Sequence, residues 1–120
     1  EETQQVKPRA LLKIAADIAK REPSRRGHML MAAVGVRPDD LLVSSYNVQV
    51  PAQRAPHGHA EYRLHSKLQA GSVVAVARVT RDGEWAMAKP CAACESILRN
   101  MRVSKIIYTI SPGEFGTIVV

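Results

Sequence analysis

Apolar residues change their spacing along the chain, and each change marks an element. Between Pro8 and Lys20 they recur at helical intervals, placing Leu11, Ile14, Ala15 and Ile18 on one face. Pro8 suits a first helical turn and Pro23 ends the helix. Two β-like runs follow, Met29 to Val36 and Leu41 to Val48, joined by the turn sequence Arg37-Pro38-Asp39-Asp40, which predicts a hairpin. Residues 49–58, with Pro51, Pro56 and Gly58, read as a loop. Ala60, Leu64 and Leu68 then share one face of a second helix from His59 to Leu68, stopped by Gly71. Val73 to Val79 is strongly apolar, as in a strand covered on both faces. The turn Arg81-Asp82-Gly83-Glu84 leads into a short return strand, Trp85 to Ala88. A third helix starts at Pro90 and turns Cys94, Ile97, Leu98 and Met101 inward. Lys105 to Ile110 and Gly116 to Val120 complete the pattern as strands.

The resulting order, α-β-β-α-β-α-β-β, predicts the α/β class: a single mixed five-stranded sheet with helices packed on it. Only Ser111-Pro112-Gly113-Glu114-Phe115 separates the last two strands. A parallel crossover needs about a dozen residues or more, so the last strand is expected to run antiparallel to its predecessor. Residues 1–120 are read as one domain, with 1–7 a flexible N-terminal segment.

Composition narrows the class without naming a function. A chain of 120 residues, 46% hydrophobic and 23% charged, fits a soluble domain with one core and argues against disorder. No apolar run approaches the roughly 18 residues of a membrane span. Glu1-Glu2-Thr3-Gln4-Gln5 has no apolar signal-peptide core, so a cytoplasmic location is expected. The formal charge of +6 points either to anionic partners, nucleotides or nucleic acid, or simply to solubility; charge alone does not decide. The 2 cysteines sit together in Cys91-Ala92-Ala93-Cys94, a spacing that suits a metal or redox pair better than a structural disulfide.

The candidate chemistry lies at two predicted helix starts. His59-Ala60-Glu61 opens the second helix and Pro90-Cys91-Ala92-Ala93-Cys94 the third. The helix body and strand between them have the length to set the two N-termini side by side at one sheet edge. His59, Cys91 and Cys94 would give Zn2+ three protein ligands and leave the fourth position to water, which separates a catalytic site from a structural one. Helix N-termini favour thiolate over thiol, and two thiolates cancel the formal charge of the ion. Glu61, two residues from His59, need not be a ligand. It is the expected catalytic group, accepting a proton from the water and delivering it to a ring nitrogen and to departing ammonia. Hydroxide addition at an amino-bearing carbon gives a tetrahedral intermediate whose collapse releases ammonia.

Each half of the pattern is weak alone, because helix-opening His and Glu are usually surface residues and Cys-x-x-Cys is common. A structural zinc knuckle would also need a fourth protein ligand. His57, beside Gly58, is better placed for that than His65, which reads as an exposed helix residue. The ordered combination, with Pro directly before the first Cys, is more specific and resembles the motif of zinc-dependent nucleobase deaminases.

At these residues the chain resembles the cytidine deaminase superfamily, the zinc-dependent cytidine and deoxycytidylate deaminases. Met31-Ala32-Ala33-Val34, Ser45-Tyr46-Asn47 and the two helix-opening motifs carry the resemblance over most of the chain. It implies a hydrolase acting on C–N bonds of cyclic amidines, favouring cytosine to uracil in a free nucleoside or nucleotide. The alternatives are deamination of cytosine or adenine in single-stranded DNA or RNA, and a catalytically silent zinc-binding module. The resemblance further implies that Asn47 contacts the sugar, against a plain role as a strand-end turn residue. It implies that the backbone N–H of Ala60 binds the base carbonyl, and that the loop before Pro90 receives the amino group. Lys89 stands there where many relatives carry Glu or Ser. Arg54, or Arg25 and Arg26, are candidates to meet a phosphate.

A His first ligand is similar to deoxycytidylate and tRNA adenosine deaminases, whereas an antiparallel last strand is similar to nucleoside and bacterial toxin deaminases; the branch stays open. Aromatics are only 4% of residues, which disfavours a surface that stacks successive bases; Tyr46, Tyr62 and Trp85 are those available, Trp85 more simply as core. Met29, Met31, Met87 and Met101 also read as core, and Arg99 and Arg102 suit the C-terminus of the third helix. A small sheet with apolar helix faces left over makes a homo-oligomer the expected assembly.

Overall fold

The computed structural model describes residues 7–21, 30–48 and 58–120. Its elements are α1 (Pro8–Arg21), β1 (Leu30–Val36), β2 (Leu42–Tyr46), α2 (Ala60–His65), β3 (Val73–Val79), β4 (Trp85–Ala86), α3 (Ala92–Asn100), β5 (Lys105–Ser111) and β6 (Glu114–Val119). The expected N-terminal segment lies outside the described residues apart from Lys7, as does Met29.

The apolar run of β3, interrupted only by Arg78, makes it the middle of the sheet, whose path is β2-β1-β3-β5-β6. β3 and β5 pair in parallel and the other neighbours antiparallel, including the predicted hairpin β1–β2 and the predicted antiparallel β5–β6. Alternate residues of β3 serve two cores. Val73, Ala75, Ala77 and Val79 pack with α1, whereas Val74 and Val76 pack with Leu64 of α2, with Leu68 just after it and with Leu98 of α3. Burial on both faces is why this strand shows no alternation of apolar and polar residues.

The helix faces differ in detail from the expected ones. α1 turns Leu11, Leu12, Ala15, Ala16 and Ala19 inward, while Ile14 is 39% exposed and Ile18 sits at the margin. Alanines on both sides explain the rotation: Ala16 and Ala19 let the helix approach Ala32, Ala75 and Ala77, which larger side chains would hold off. α2 is shorter than predicted, and its close seat on β1 depends on Gly35, where a Cβ would lie 2.5 Å from Leu68 Cδ2. Met87 is 49% exposed and not part of the core, whereas Met31 and Met101 pack against it.

The sheet has six strands where five were expected, because the return strand is a wedge and not only a connector. β5 pairs with β3 only as far as Val76, and β4 takes over at Arg78 and Val79. Buried Thr109 closes the gap. Its hydroxyl accepts from the Arg78 backbone N–H at 3.2 Å and donates to the Ala86 carbonyl at 2.6 Å. Its own carbonyl accepts from Ala88 N–H at 2.9 Å. Thr109→Val keeps the shape but strands a buried donor and acceptor, so unfolding free energy should fall by about 2–3 kcal/mol, read from the urea midpoint at constant slope. β6 begins two residues earlier than expected, since Pro112-Gly113 alone makes the turn, with Gly113 at φ 79°.

Both α2 and α3 point their N-termini to one end of the sheet. Ser45, near the end of β2, donates to the Ala60 carbonyl at 2.5 Å, while Leu68 lies against Gly35 on the opposite side of the strand run. α3 likewise finishes at the far end, where Arg102 accepts from Gly71 N–H at 2.8 Å. No helix among the described residues is long and apolar enough to cross a membrane.

Candidate metal centre and active site

The two helix starts meet. His59 is the N-cap residue of α2 and Cys91 that of α3, both in extended backbone conformation with no side-chain capping bond, so their side chains are free for other work. The expected helix start at Pro90 is displaced to Ala92: Pro90 is buried just ahead of the cap, and its ring sets the chain entering the helix. Cys94, in the first turn of α3, is fully buried.

His59 Nδ1 lies 3.3 Å from Cys94 Sγ and 3.7 Å from Cys91 Sγ, and the ligand atoms of the three residues all fall within 4.8 Å of one another. A tetrahedral zinc with bonds of about 2.05 Å to nitrogen and about 2.3 Å to sulfur separates those atoms by about 3.6 Å. The spacing therefore fits zinc, with Nδ1 as the imidazole ligand, and both cysteines are free thiols. His59, Cys91 and Cys94 thus form a group that can hold a metal ion.

Electrostatics support the same reading. Glu61 is 2% exposed, and its Oε1 is buried without a hydrogen-bond partner in the described structure. Burial raises its pKa above the ordinary carboxylate value, offset in part by a backbone hydrogen bond. Burial also pushes the Cys94 thiol far up, aided by the Glu61 charge and by Cys91, while a backbone hydrogen bond at Tyr62 works the other way. A cation between the three donors is what would reverse that shift, since a coordinating thiol is deprotonated. The donor set, the spacing and the orphaned carboxylate all fit a zinc ion.

The other predicted residues fall in different places. Asn47 extends the β1–β2 pairing by one residue: its N–H donates to Met31 O at 3.2 Å and its Oδ1 accepts from Met31 N–H at 3.0 Å. The strand-end role is thus present, and it leaves the Asn47 amide nitrogen without a hydrogen bond among the described residues. Ala60 is the first residue of α2, where a backbone N–H has no acceptor within the helix. Lys89 is exposed between buried Ala88 and Pro90. Arg25, Arg26, Arg54 and His57 lie outside the described residues. Val48 N–H donates to Gly58 O at 2.7 Å, which sets the residue after Asn47 beside the residue before His59.

One residue that sequence reasoning passed over braces the strand end beside the site. Arg63 stacks its guanidinium 4.6 Å from the Tyr46 ring centroid and donates to the Tyr46 carbonyl, fixing the end of β2 beside Asn47. Arg78, a lone charge inside an apolar run, is half-buried near the end of β3. His65, expected to be exposed, is half-buried, with its Nδ1 against the Tyr62 carbonyl and its ring 4.8 Å from that of Tyr62. Arg99 is committed to Glu95, one turn back, at 2.9 Å.

No protein-family model matches the chain, and no curated protein matches it in sequence. Solved structures do. A cytidine deaminase from Burkholderia pseudomallei superposes with a TM-score of 0.68 at 16% identity, over 95% of this chain and 93% of that one. One from Mycobacterium leprae gives 0.60 at 22% identity over 94% of each chain, and one from Mycobacterium tuberculosis 0.59 at 21% over 90% of each. The chain has the cytidine deaminase fold over nearly its whole length.

Proposed function

We propose that this protein is a zinc-dependent hydrolytic deaminase of a nucleobase, converting cytosine to uracil in a free nucleoside or nucleotide. The observation that carries the proposal is Glu61. A purely structural metal site has no use for a buried carboxylate with an unpartnered oxygen beside its ligands, and such a group is costly to keep. His59, Cys91 and Cys94 hold the zinc, which supplies a Lewis acid that makes water nucleophilic at neutral pH.

The chain's own residues do the rest. Glu61 takes a proton from the attacking water, passes it to the ring nitrogen and then serves the departing amino group, so that water and the C–NH2 carbon become C=O and ammonia. Burial raises its pKa above the ordinary carboxylate value, which favours the protonated form and suits a group that must hold a proton before passing it on. The Ala60 N–H, free at the helix N-terminus, receives the base carbonyl, and the amide nitrogen of Asn47 reaches the sugar. The 87–90 loop, with Lys89, borders the amino group.

Single-stranded nucleic acid is the second reading, and the aromatics disfavour it. Tyr46 is covered on one face by Arg63, Tyr62 sits against His65, and Trp85 packs with the α1 core on the opposite side of the sheet. The test is ammonia release from cytidine, deoxycytidine, deoxycytidylate and adenosine and from a cytosine-containing oligonucleotide, with zinc content measured on the same sample. Turnover of a cytosine monomer by zinc-loaded protein is expected. Full zinc loading with no ammonia from any of them would leave only a metal-binding module.

A further inference from the structure

Across the end of the sheet beneath the two helix N-termini runs one transverse row. Asn47 bonds to Met31, Met31 pairs with Arg78, and Arg78 pairs with Ala86. Residues directly opposite in antiparallel strands point the same way. Ala77 and Val79 face α1, so Arg78 stands on the α2/α3 side, as do Val74 and Val76 before it. The preceding row on that side holds Ser45, whose hydroxyl bonds to the Ala60 carbonyl at the start of α2, so the Arg78 row lies one step further toward the sheet end to which the α2 and α3 N-termini point.

Arg78 is half-buried, and its guanidinium forms no hydrogen bond, ion pair or ring contact among the described residues. Arg9, Arg37, Arg63 and Arg99 each spend their guanidinium on a carbonyl, carboxylate or ring, and the other described arginines without such a partner, Arg21, Arg81 and Arg102, are exposed, so Arg78 alone among the described arginines is both half-buried and unpartnered. A planar cation with five donors, partly shielded from water on a strand whose backbone is anchored to Thr109 at this position, matches a tetrahedral oxyanion. On the deaminase reading, the substrate's sugar lies by Asn47, in the same row. We infer that Arg78 binds the phosphate of a nucleoside 5′-monophosphate, which makes the natural substrate a mononucleotide and not a free nucleoside. This inference rests on the proposed function and narrows its substrate class.

The experiment compares kcat/KM for cytidine, deoxycytidine, their 5′-monophosphates and a single-stranded oligonucleotide with one central cytosine. The proteins are the zinc-loaded wild type, Arg78→Gln and Arg78→Lys. Calorimetric binding of the same monophosphates to Glu61→Gln protein provides a readout independent of turnover. The wild type should prefer a monophosphate over its nucleoside by about 10- to 100-fold. Arg78→Gln should collapse that ratio toward one, mainly through KM, and Arg78→Lys should keep part of it, since a point charge replaces a fork. Adding Arg78→Gln to the Glu61→Gln protein should weaken monophosphate binding by a similar factor. Deamination with no preference for the monophosphate, or a preference unmoved by Arg78→Gln, overturns the inference and leaves the deaminase reading standing. Turnover of the oligonucleotide alone would overturn the mononucleotide assignment. Ammonia from none of these substrates would sink the deaminase reading itself, and the inference with it.

Discussion

Glu61→Gln protein should bind zinc as fully as the wild type and lose nearly all turnover. Positioned acid–base groups contribute about 10²- to 10⁴-fold, so kcat should fall by that factor with the metal content unchanged. The retained zinc is the discriminating half of the result, because the three donors that meet are His59, Cys91 and Cys94, and Glu61 is not among them. The same substitution has a stability signature with a definite sign. In metal-free protein Glu61 has a pKa raised above its ordinary 4.5, so the folded state holds the proton more tightly than the unfolded one. That contribution is fully present below about 4.5 and is lost as pH rises through the folded value. Glutamine has no such titration. Thermal unfolding of the two metal-free proteins should therefore diverge as pH rises from 4.5 toward neutrality, with the variant the more stable above it. Parallel curves would mean that the carboxylate is solvated, and undiminished turnover would remove Glu61 from the chemistry.

The placement of these groups was largely legible in the sequence, and the reasons are local. Apolar spacing gave α2 and α3 because Leu64, Leu68, Cys94 and Leu98 recur at helical intervals toward one core. His59 and Glu61 are two residues apart, a spacing that turns them in different directions, and the structure puts only His59, as the extended N-cap of α2, among the three donors that meet. The five-residue connector before the last strand left no room for a crossover, so the antiparallel end followed from length. What stayed hidden depended on partners distant in sequence. The inward face of α1 is set by alanines of β1 and β3, and no period in residues 8–21 contains that information. The β4 wedge depends on where the parallel pairing of β3 and β5 stops, and on a threonine 23 residues away whose hydroxyl stands in for a ladder bond. Arg78 shows its isolation only once the sheet row is assembled. The Asn47 side chain had two sequence readings, and its oxygen is already used by Met31.

Cys94→Ser protein should lose the metal and, with it, the response of stability to zinc. Cys94 is fully buried, 3.3 Å from the imidazole, and so ties the start of α3 to the start of α2 through whatever they jointly hold. With free zinc at about 1,000 times its dissociation constant, mass action adds about 4 kcal/mol to a folded state that alone binds the ion. Chelation should remove that increment from the wild type, read as a fall in the unfolding midpoint, and leave the variant where it was. In the metal-free state the two proteins should lie close together, since serine nearly preserves the buried volume. The pH dependence follows from the raised thiol. Cys94 must give up its proton to become a ligand, so apparent zinc affinity should rise by at least about tenfold per pH unit around neutrality, with protons released on binding. A serine hydroxyl does not ionise in this range and cannot reproduce that slope. Stoichiometric zinc in the variant, or binding that ignores pH in the wild type, would place the metal elsewhere and dissolve the link between the two helix tips.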